Sequence, residues 1–383
     1  MANRNLAEAK RAKNDEFYTQ YTDIEKEINA YLEYDPDTFR GKTVYSNCDD
    51  PYESNFFRYF VLNFRRLGLA RYIATSYKPS PIANTQLDLF GNDVTLPPAK
   101  GRPKIAANRF IINDVGDMDG DGQFNLSDIA RQLLANTNNE WAPLRGDGDF
   151  RSDECIALLA QADIVVTNPP FSLFRDYLAQ LIDHRKQLLI IGSMNAITYK
   201  EVFPLIKGDR LWLGPTITSG DREFQVPDSY PLQAAGFRVD EDGRKYIRVK
   251  GVRWFTNLEH GRRHQPLSLM TMADNLKFNK KMQGKTSYSR YVNYDAIEVP
   301  FTDAIPSDYE GAMGVPISFL DKYNPDQFEI LGSSRTLGIP ISEVAPKGTY
   351  MHGGPRFYIA EPSGEFLYTR LYDRIVIRHR RSL

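Results

Sequence analysis

The sequence predicts an α/β protein, with a mostly parallel sheet covered by helices on both faces and a mixed α/β region after it. Three observations carry this. Apolar runs of strand length alternate with amphipathic helical stretches up to about residue 214. Beyond that point the chain breaks into short strand-like runs with frequent turn signals and few long helices. Charge changes at the same place. Residues 1–215 carry 25 basic and 29 acidic side chains, net −4, whereas residues 216–383 carry 23 and 20, net +3. Two regions are therefore expected, 1–215 and 216–383.

The elements follow in order. Ile24, Ile28, Tyr31 and Leu32 recur at helical spacing and predict a helix over 22–33. TVYSNC at 43–48 reads as a strand. Residues 54–67 read as a helix stopped by Gly68, and RYIAT at 71–75 as a second strand. Strand, turn, helix, strand opens an α/β unit whose ligand sits at the strands' C-terminal ends. Residues 78–104 are rich in proline without periodicity and read as an exposed insertion; a second insertion is expected over 113–148. RFIIN at 109–113 resumes as a strand, and 127–135 reads as a helix. ADIVVT at 162–167 is a buried strand, 173–186 an amphipathic helix, and QLLIIG at 187–192 the next buried strand.

Composition excludes several classes. Of 383 residues, 42% are hydrophobic and 25% charged, a balance that folds. A net charge of −1 excludes a uniformly basic nucleic-acid coat but leaves room for a local basic face. Two cysteines, Cys48 and Cys155, fit a reducing compartment and read as buried apolar residues. No apolar stretch approaches the roughly 18 residues of a membrane span, and residues 1–13 lack a signal-peptide core. The expectation is a soluble, cytoplasmic protein.

The sharpest charge feature is 244–290, where 12 basic residues stand against Glu259 and Asp274, with aromatics interleaved. It reads either as a solvated face or as a phosphate-binding surface, and the shortage of acids favours the latter. Arg262, Arg263, Lys280 and Lys281 are its candidates for phosphate or base contact. Arg374, Arg378, Arg380 and Arg381 near the end read as an extension of it or as a solubilising tail.

Asn168-Pro169-Pro170-Phe171 is the most informative segment, directly after the strand ADIVVT and directly before a helix. The Asn168 side-chain oxygen and the Pro169 carbonyl can both accept hydrogen bonds, and together they suit the two hydrogens of an exocyclic amine. The prolines fix the positions of these acceptors, and Phe171 can stack on the ring that bears the amine. The alternative is a plain proline turn with Phe171 in the core.

This tetrapeptide resembles the Asn/Asp-Pro-Pro-aromatic motif of S-adenosylmethionine-dependent amino-group methyltransferases. The resemblance extends to the EcoRI-type family of DNA adenine-N6 methyltransferases over most of the chain. DEFYT at 15–19 resembles the family's first cofactor-contacting segment, which nominates Phe17, Tyr18 and Thr19. NCDDPYESNFF at 47–57 resembles its first cofactor motif, nominating Asp49, Asp50 and Ser54, although this turn lacks the usual glycine. Ser54 also reads as a simple helix cap. Gly148-Asp149-Phe150 resembles the acidic segment that binds the cofactor's adenine. The second strand lacks the acid that usually holds the ribose, leaving Ser76 or Tyr77 as substitutes. The resemblance implies a Rossmann-like methyltransferase sheet in 1–215 and a DNA-recognition region in 216–383. It also implies direct transfer of a methyl group to the N6 amine of an adenine flipped out of duplex DNA. Methylation of cytosine N4 or of protein glutamine, and a catalytically decayed DNA-binding protein, are the competing readings.

Two further signals stand apart. Asp117, Asp119, Asp121 and Asp128 fall at positions 1, 3, 5 and 12 of a loop with glycine at position 6, which resembles a calcium loop. A structural calcium ion is one expectation there and an Asp/Gly-rich turn the other. Gln86-Leu87-Asp88-Leu89-Phe90 resembles the peptide that docks bacterial replication proteins on the sliding clamp. Leu87, Leu89 and Phe90 read equally as residues that fold back onto the core.

Overall fold

A computed structural model describes residues 19–48, 54–77, 107–118, 120–121, 124–135, 138–218, 221–226, 236–361 and 364–380. The chain divides into two compact units. One is Met1–Met194 with Gly214–His260, the other Asn195–Leu213 with Gly261–Leu383. The division differs from a single boundary at 215, because the chain crosses between units and returns.

In the first unit, α1 (Tyr21–Tyr34) places Ile24, Ile28 and Tyr31 on one buried face. β1 (Thr43–Ser46) leads to α2 (Asn55–Leu62) and the short α3 (Phe64–Leu67). The sequence predicts one helix there. Asn63 interrupts it, and Gly68 ends α3 in the left-handed region at φ +63°. β2 (Arg71–Thr75) and β3 (Asn108–Ile112) follow, then α4 (Leu126–Ala135) and β4 (Glu140–Pro143). Next come α5 (Asp153–Gln161), β5 (Ile164–Thr167), α6 (Phe174–Asp183) and β6 (Gln187–Ser193). The expected insertion over 113–148 holds α4, where the sequence predicts a helix, and also β4, while 78–104 lies outside the described residues.

The sheet order is β4-β3-β2-β1-β5-β6, followed by the strand Val252–Thr256. β2, β1, β5 and β6 are parallel, whereas β3, β4 and Val252–Thr256 join antiparallel. The mostly parallel sheet of the sequence reading is therefore a parallel centre with antiparallel edges, an α/β fold of Rossmann-like methyltransferase type. Strand order reverses between β1 and β5, so the crevice at their C-terminal ends is the topological switch point, where such sheets bind ligands.

The core is aromatic. Phe56, Phe57, Phe60, Tyr72 and Phe110 are at most 1% exposed, and Phe57 meets both Tyr72 and Phe110 edge-on. The returning segment is tied in by a buried acid. Glu27 accepts from the Tyr31 hydroxyl at 3.1 Å, from the Thr216 amide at 3.1 Å and from the Thr216 hydroxyl. Gly214 is required beside it, since a Cβ there would overlap the Glu27 carboxylate.

The first unit also contains a three-stranded antiparallel sheet of Asp221–Val226, Lys245–Lys250 and Arg238–Val239. The second unit is built on a four-stranded sheet in the order Ile297–Glu298, Met313–Pro316, Arg374–His379, Phe328–Ser333. A hairpin of Tyr358–Ala360 and Tyr368–Arg370 accompanies it. No helix among the described residues is long and apolar enough to cross a membrane.

Candidate active site

The ends of β1 and β5 meet at the switch point. The Cys48 amide donates to Thr167 Oγ1 at 3.3 Å, and the Ser46 hydroxyl donates to the Val166 carbonyl at 2.6 Å. Thr167 immediately precedes Asn168, so the turn after β1 is bonded to the residue that starts the proline turn. Asn168 is 4% exposed. The Leu173 amide bonds the Pro170 carbonyl at 2.9 Å and starts α6. Phe171 is 8% exposed and packs with the main core, the alternative the sequence left open to stacking on a ring.

α6 supplies the feature that sequence reading missed. Tyr177 is fully buried and its hydroxyl donates to Asn47 Oδ1, which the Cys48 thiol approaches at 3.6 Å. Burial, and then the neighbouring Cys48 and Tyr45, push the Tyr177 hydroxyl well above its ordinary range, so it stays a donor at neutral pH. The Tyr177 ring meets Phe150 edge-on at 5.0 Å, and Gln180 Nε2, one turn further on, donates to the Phe150 carbonyl at 3.0 Å. One helix thus holds the turn after β1 and the Asp149-Phe150 segment. In the sequence Tyr177 is only one member of an apolar face.

The Asp149 segment reaches β2 through Gly148. That residue sits at φ +81°, and a Cβ there would overlap the Ser76 carbonyl oxygen. Asp149 accepts from the Arg151 amide at 2.8 Å and the Arg151 side chain at 2.9 and 2.6 Å. The Ser76 hydroxyl accepts the Asn108 amide at 2.9 Å, a bond in the β2–β3 connection.

Ser54 is buried and N-caps α2, accepting from the Phe56 amide at 3.1 Å and the Phe57 amide at 3.4 Å. Asn55 donates to the Thr19 carbonyl at 2.8 Å, and buried Thr19 Oγ1 has no hydrogen-bond partner among the described residues. Phe17, Tyr18, Asp49 and Asp50 lie outside the described residues. The polar groups at this crevice fit a ligand with amino, carboxylate and ribose groups. They comprise an orphaned hydroxyl, a helix N-terminus and the ends of two parallel strands.

The basic run is divided by the fold. Residues 244–260 belong to the first unit and 261–290 to the second. Most of its aromatics are core: Trp254 and Phe255 are at most 1% exposed, and only Phe278, at 60%, stands open. Arg263 is corrected as a DNA contact. It is 4% exposed, bonded to Asp209, with its guanidinium 3.8 Å from the Trp212 ring centre. Lys281 pairs with Asp303 at 2.9 Å, while Arg262 is half-buried and Lys280 exposed. Three of the terminal arginines are also engaged, and Arg381 lies outside the described residues. Arg374 bonds buried Glu298 at 2.7 Å, Arg378 bonds Glu329 at 2.6 Å, and Arg380 bonds the Pro325 carbonyl at 2.6 Å.

Calcium finds no support. Asp128 is fully buried, and its two oxygens accept the Met118 amide at 2.7 Å and the Asn125 amide at 2.8 Å. Asp117 accepts the Gly120 amide at 2.6 Å. The loop closes on its own backbone, and no group of three or more acidic, histidine or cysteine residues that could hold a metal gathers among the described residues. Asp119 and the segment 86–90 lie outside them.

The family profile described as "Adenine-specific methyltransferase EcoRI" matches residues 5–380. The Type II methyltransferase M.EcoRI of Escherichia coli is 43% identical over 329 residues, covering 86% of this chain and 89% of that protein. M.MpnI of Mycoplasma pneumoniae is 36% identical over 328 residues, covering 84% and 83%. M.MgeORF184P of Mycoplasma genitalium is 35% identical over 329 residues, covering 84% of each. No solved structure matches. With its α/β sheet, its polar crevice at the switch point and its Asn-Pro-Pro-Phe turn, this chain belongs to the EcoRI family of adenine-specific DNA methyltransferases, which use S-adenosylmethionine.

Proposed function

We propose that Asn168, Pro169 and Phe171 form the catalytic turn of this site-specific adenine-N6 methyltransferase. The observation that supports this reading is the hydrogen bond from the Cys48 amide, just after β1, to Thr167, the residue before Asn168. Thr19, Ser54, Tyr77, Asp149 and Phe150 would hold the cofactor, with Phe17, Tyr18, Asp49 and Asp50 from the flanking segments. S-adenosylmethionine, when bound, supplies an electrophilic sulfonium methyl.

The chain's own residues do the rest. The target adenine is unstacked at a cost of a few kcal/mol. Asn168 Oδ1 and the Pro169 carbonyl accept its two amine hydrogens, which raises electron density on nitrogen and fixes its direction of attack. Phe171 packs with the core, so stacking on the base requires the turn to open as the base enters. Arg262, Lys280 and Lys281 serve as DNA contacts. The test is transfer of labelled methyl to duplex DNA, followed by digestion to nucleosides. Label in N6-methyldeoxyadenosine, absent for Asn168→Ala, supports the assignment. Label on cytosine N4, or on protein glutamine with DNA as a mere competitor, overturns it.

QLDLF at 86–90 is proposed to dock the enzyme on the replication sliding clamp of a bacterial cytoplasm. Two leucines and a phenylalanine in a proline-rich insertion suit an anchor that orders on binding. Retention on purified clamp should be lost in Leu89→Ala and Phe90→Ala. Equal retention of the variants sinks the idea.

A further inference from the structure

Two arginines of the second unit grip one acid, and a third guanidinium stands near them. Arg335 is bidentate to Asp373, Nε to Oδ1 at 2.9 Å and Nη2 to Oδ2 at 3.0 Å. Arg356 grips the same carboxylate, with Nε 2.9 Å from Oδ1 and Nη2 3.1 Å from Oδ2. Arg370 adds a third guanidinium. It lies against Gly353, where a Cβ would overlap it, and it takes no hydrogen bond or ion pair among the described residues. Arg356 is held below its ordinary range, first by burial and then by the like charges of Arg335 and Arg370, although Asp373 opposes them. Two positive charges thus share one carboxylate, and Arg370 adds a like charge that acts on Arg356, so positive charge is in local excess.

Between Arg370 and Asp373 the chain carries a second anomaly. Tyr372 is 89% exposed, far beyond any other large apolar or aromatic side chain among the described residues. It lies on the short loop 371–373 that joins the hairpin strand Tyr368–Arg370 to the central strand Arg374–His379. An aromatic ring held in water beside crowded arginines loses burial energy that a partner would restore.

We propose that the 371–373 loop is a DNA-contact element, in which Arg335, Arg356 and Arg370 hold a backbone phosphate and Tyr372 packs on the adjoining sugar and base. Planar guanidiniums suit phosphate oxygens, and Asp373 orients two of them before DNA arrives. An isolated small anion would need the arginines but not the exposed ring. The two features together fit a polymer that presents phosphates beside flat apolar surface. The inference rests on the DNA methyltransferase reading and adds residues outside the 244–290 run.

The test uses the full chain and a duplex oligonucleotide carrying the wild-type methylation site. Affinity is measured by fluorescence anisotropy at salt concentrations from about 50 to 200 mM, the range over which phosphate contacts weaken most. Arg370→Gln should weaken binding roughly tenfold, as expected for a hydrogen bond to a charged group. It should also lower the slope of log affinity against log salt by about 0.9, one phosphate's share. Arg370→Lys should keep the slope. Tyr372→Ala should weaken binding at least about fivefold with the slope unchanged, since stacking is not ionic. Tyr372 is so exposed that its loss leaves the fold intact, which keeps the test decisive if the arginine variant is unstable. Wild-type affinity and slope in both variants, beside a wild type that binds and methylates DNA, would overturn the inference alone. A wild type that neither binds nor methylates DNA would overturn the underlying reading as well.

Discussion

Tyr177 shows what a single side chain does at this site. Its hydroxyl holds Asn47 after β1, and its ring holds Phe150 in the acidic segment. Tyr177→Phe keeps the ring and removes one buried hydrogen bond. A bond of this kind contributes about 0.5–1.5 kcal/mol, roughly threefold to tenfold in a binding constant. The KM for S-adenosylmethionine should rise by that factor while DNA affinity stays constant. An unchanged KM with a lowered melting temperature would make Tyr177 a core residue only. Asn168 is nominated by the sequence because a polar residue followed by two prolines at a strand end has few other uses. Tyr177 was not, because a buried hydroxyl looks like any other member of an apolar helical face until its partner, 130 positions away, is known.

Elements were legible where periodicity is local. β2 follows RYIAT residue for residue, and α1 extends the expected helix by one residue at each end. The helix Asp153–Gln161 escaped because its nine residues bury only Cys155, Leu158 and Leu159, too few for a clear stripe. The antiparallel edges escaped because pairing direction leaves no mark on a short apolar run. Ser54 separates two uses of one residue. Its hydroxyl already accepts two amides of α2. Ser54→Ala should cost about 1 kcal/mol of stability, the usual loss for an N-cap. If capping is its whole role, KM for S-adenosylmethionine will not move in thermal-shift-matched assays. A tenfold rise in KM is the result expected if Ser54 also holds the cofactor, as proposed.

At the scale of the whole molecule, the division into units was the least legible feature. The charge shift after residue 215 suggested one boundary, yet Val252–Thr256 pairs with β6 across about sixty residues, and Glu27 ties down Thr216. Such long-range contacts are written in complementary shapes rather than in composition. The same reason hides the Arg335, Arg356 and Arg370 group, whose members are too far apart in sequence for any window of charge to collect. The basic run over 244–290 is divided by the fold, and it turns Arg253 and Arg263 inward, both at most 4% exposed, while most of its basic side chains stay exposed. The crevice between β1 and β5, with Asn168 at its edge, is proposed to transfer methyl groups to adenine at one DNA sequence. Genome-wide mapping of N6-methyladenine in a host lacking adenine methylation, with wild type and Asn168→Ala expressed in parallel, tests it most directly. Modification at a single sequence motif by the wild type, erased in the variant, is the expected result. An unmodified genome from well-folded wild type, or a variant that still methylates, would contradict it.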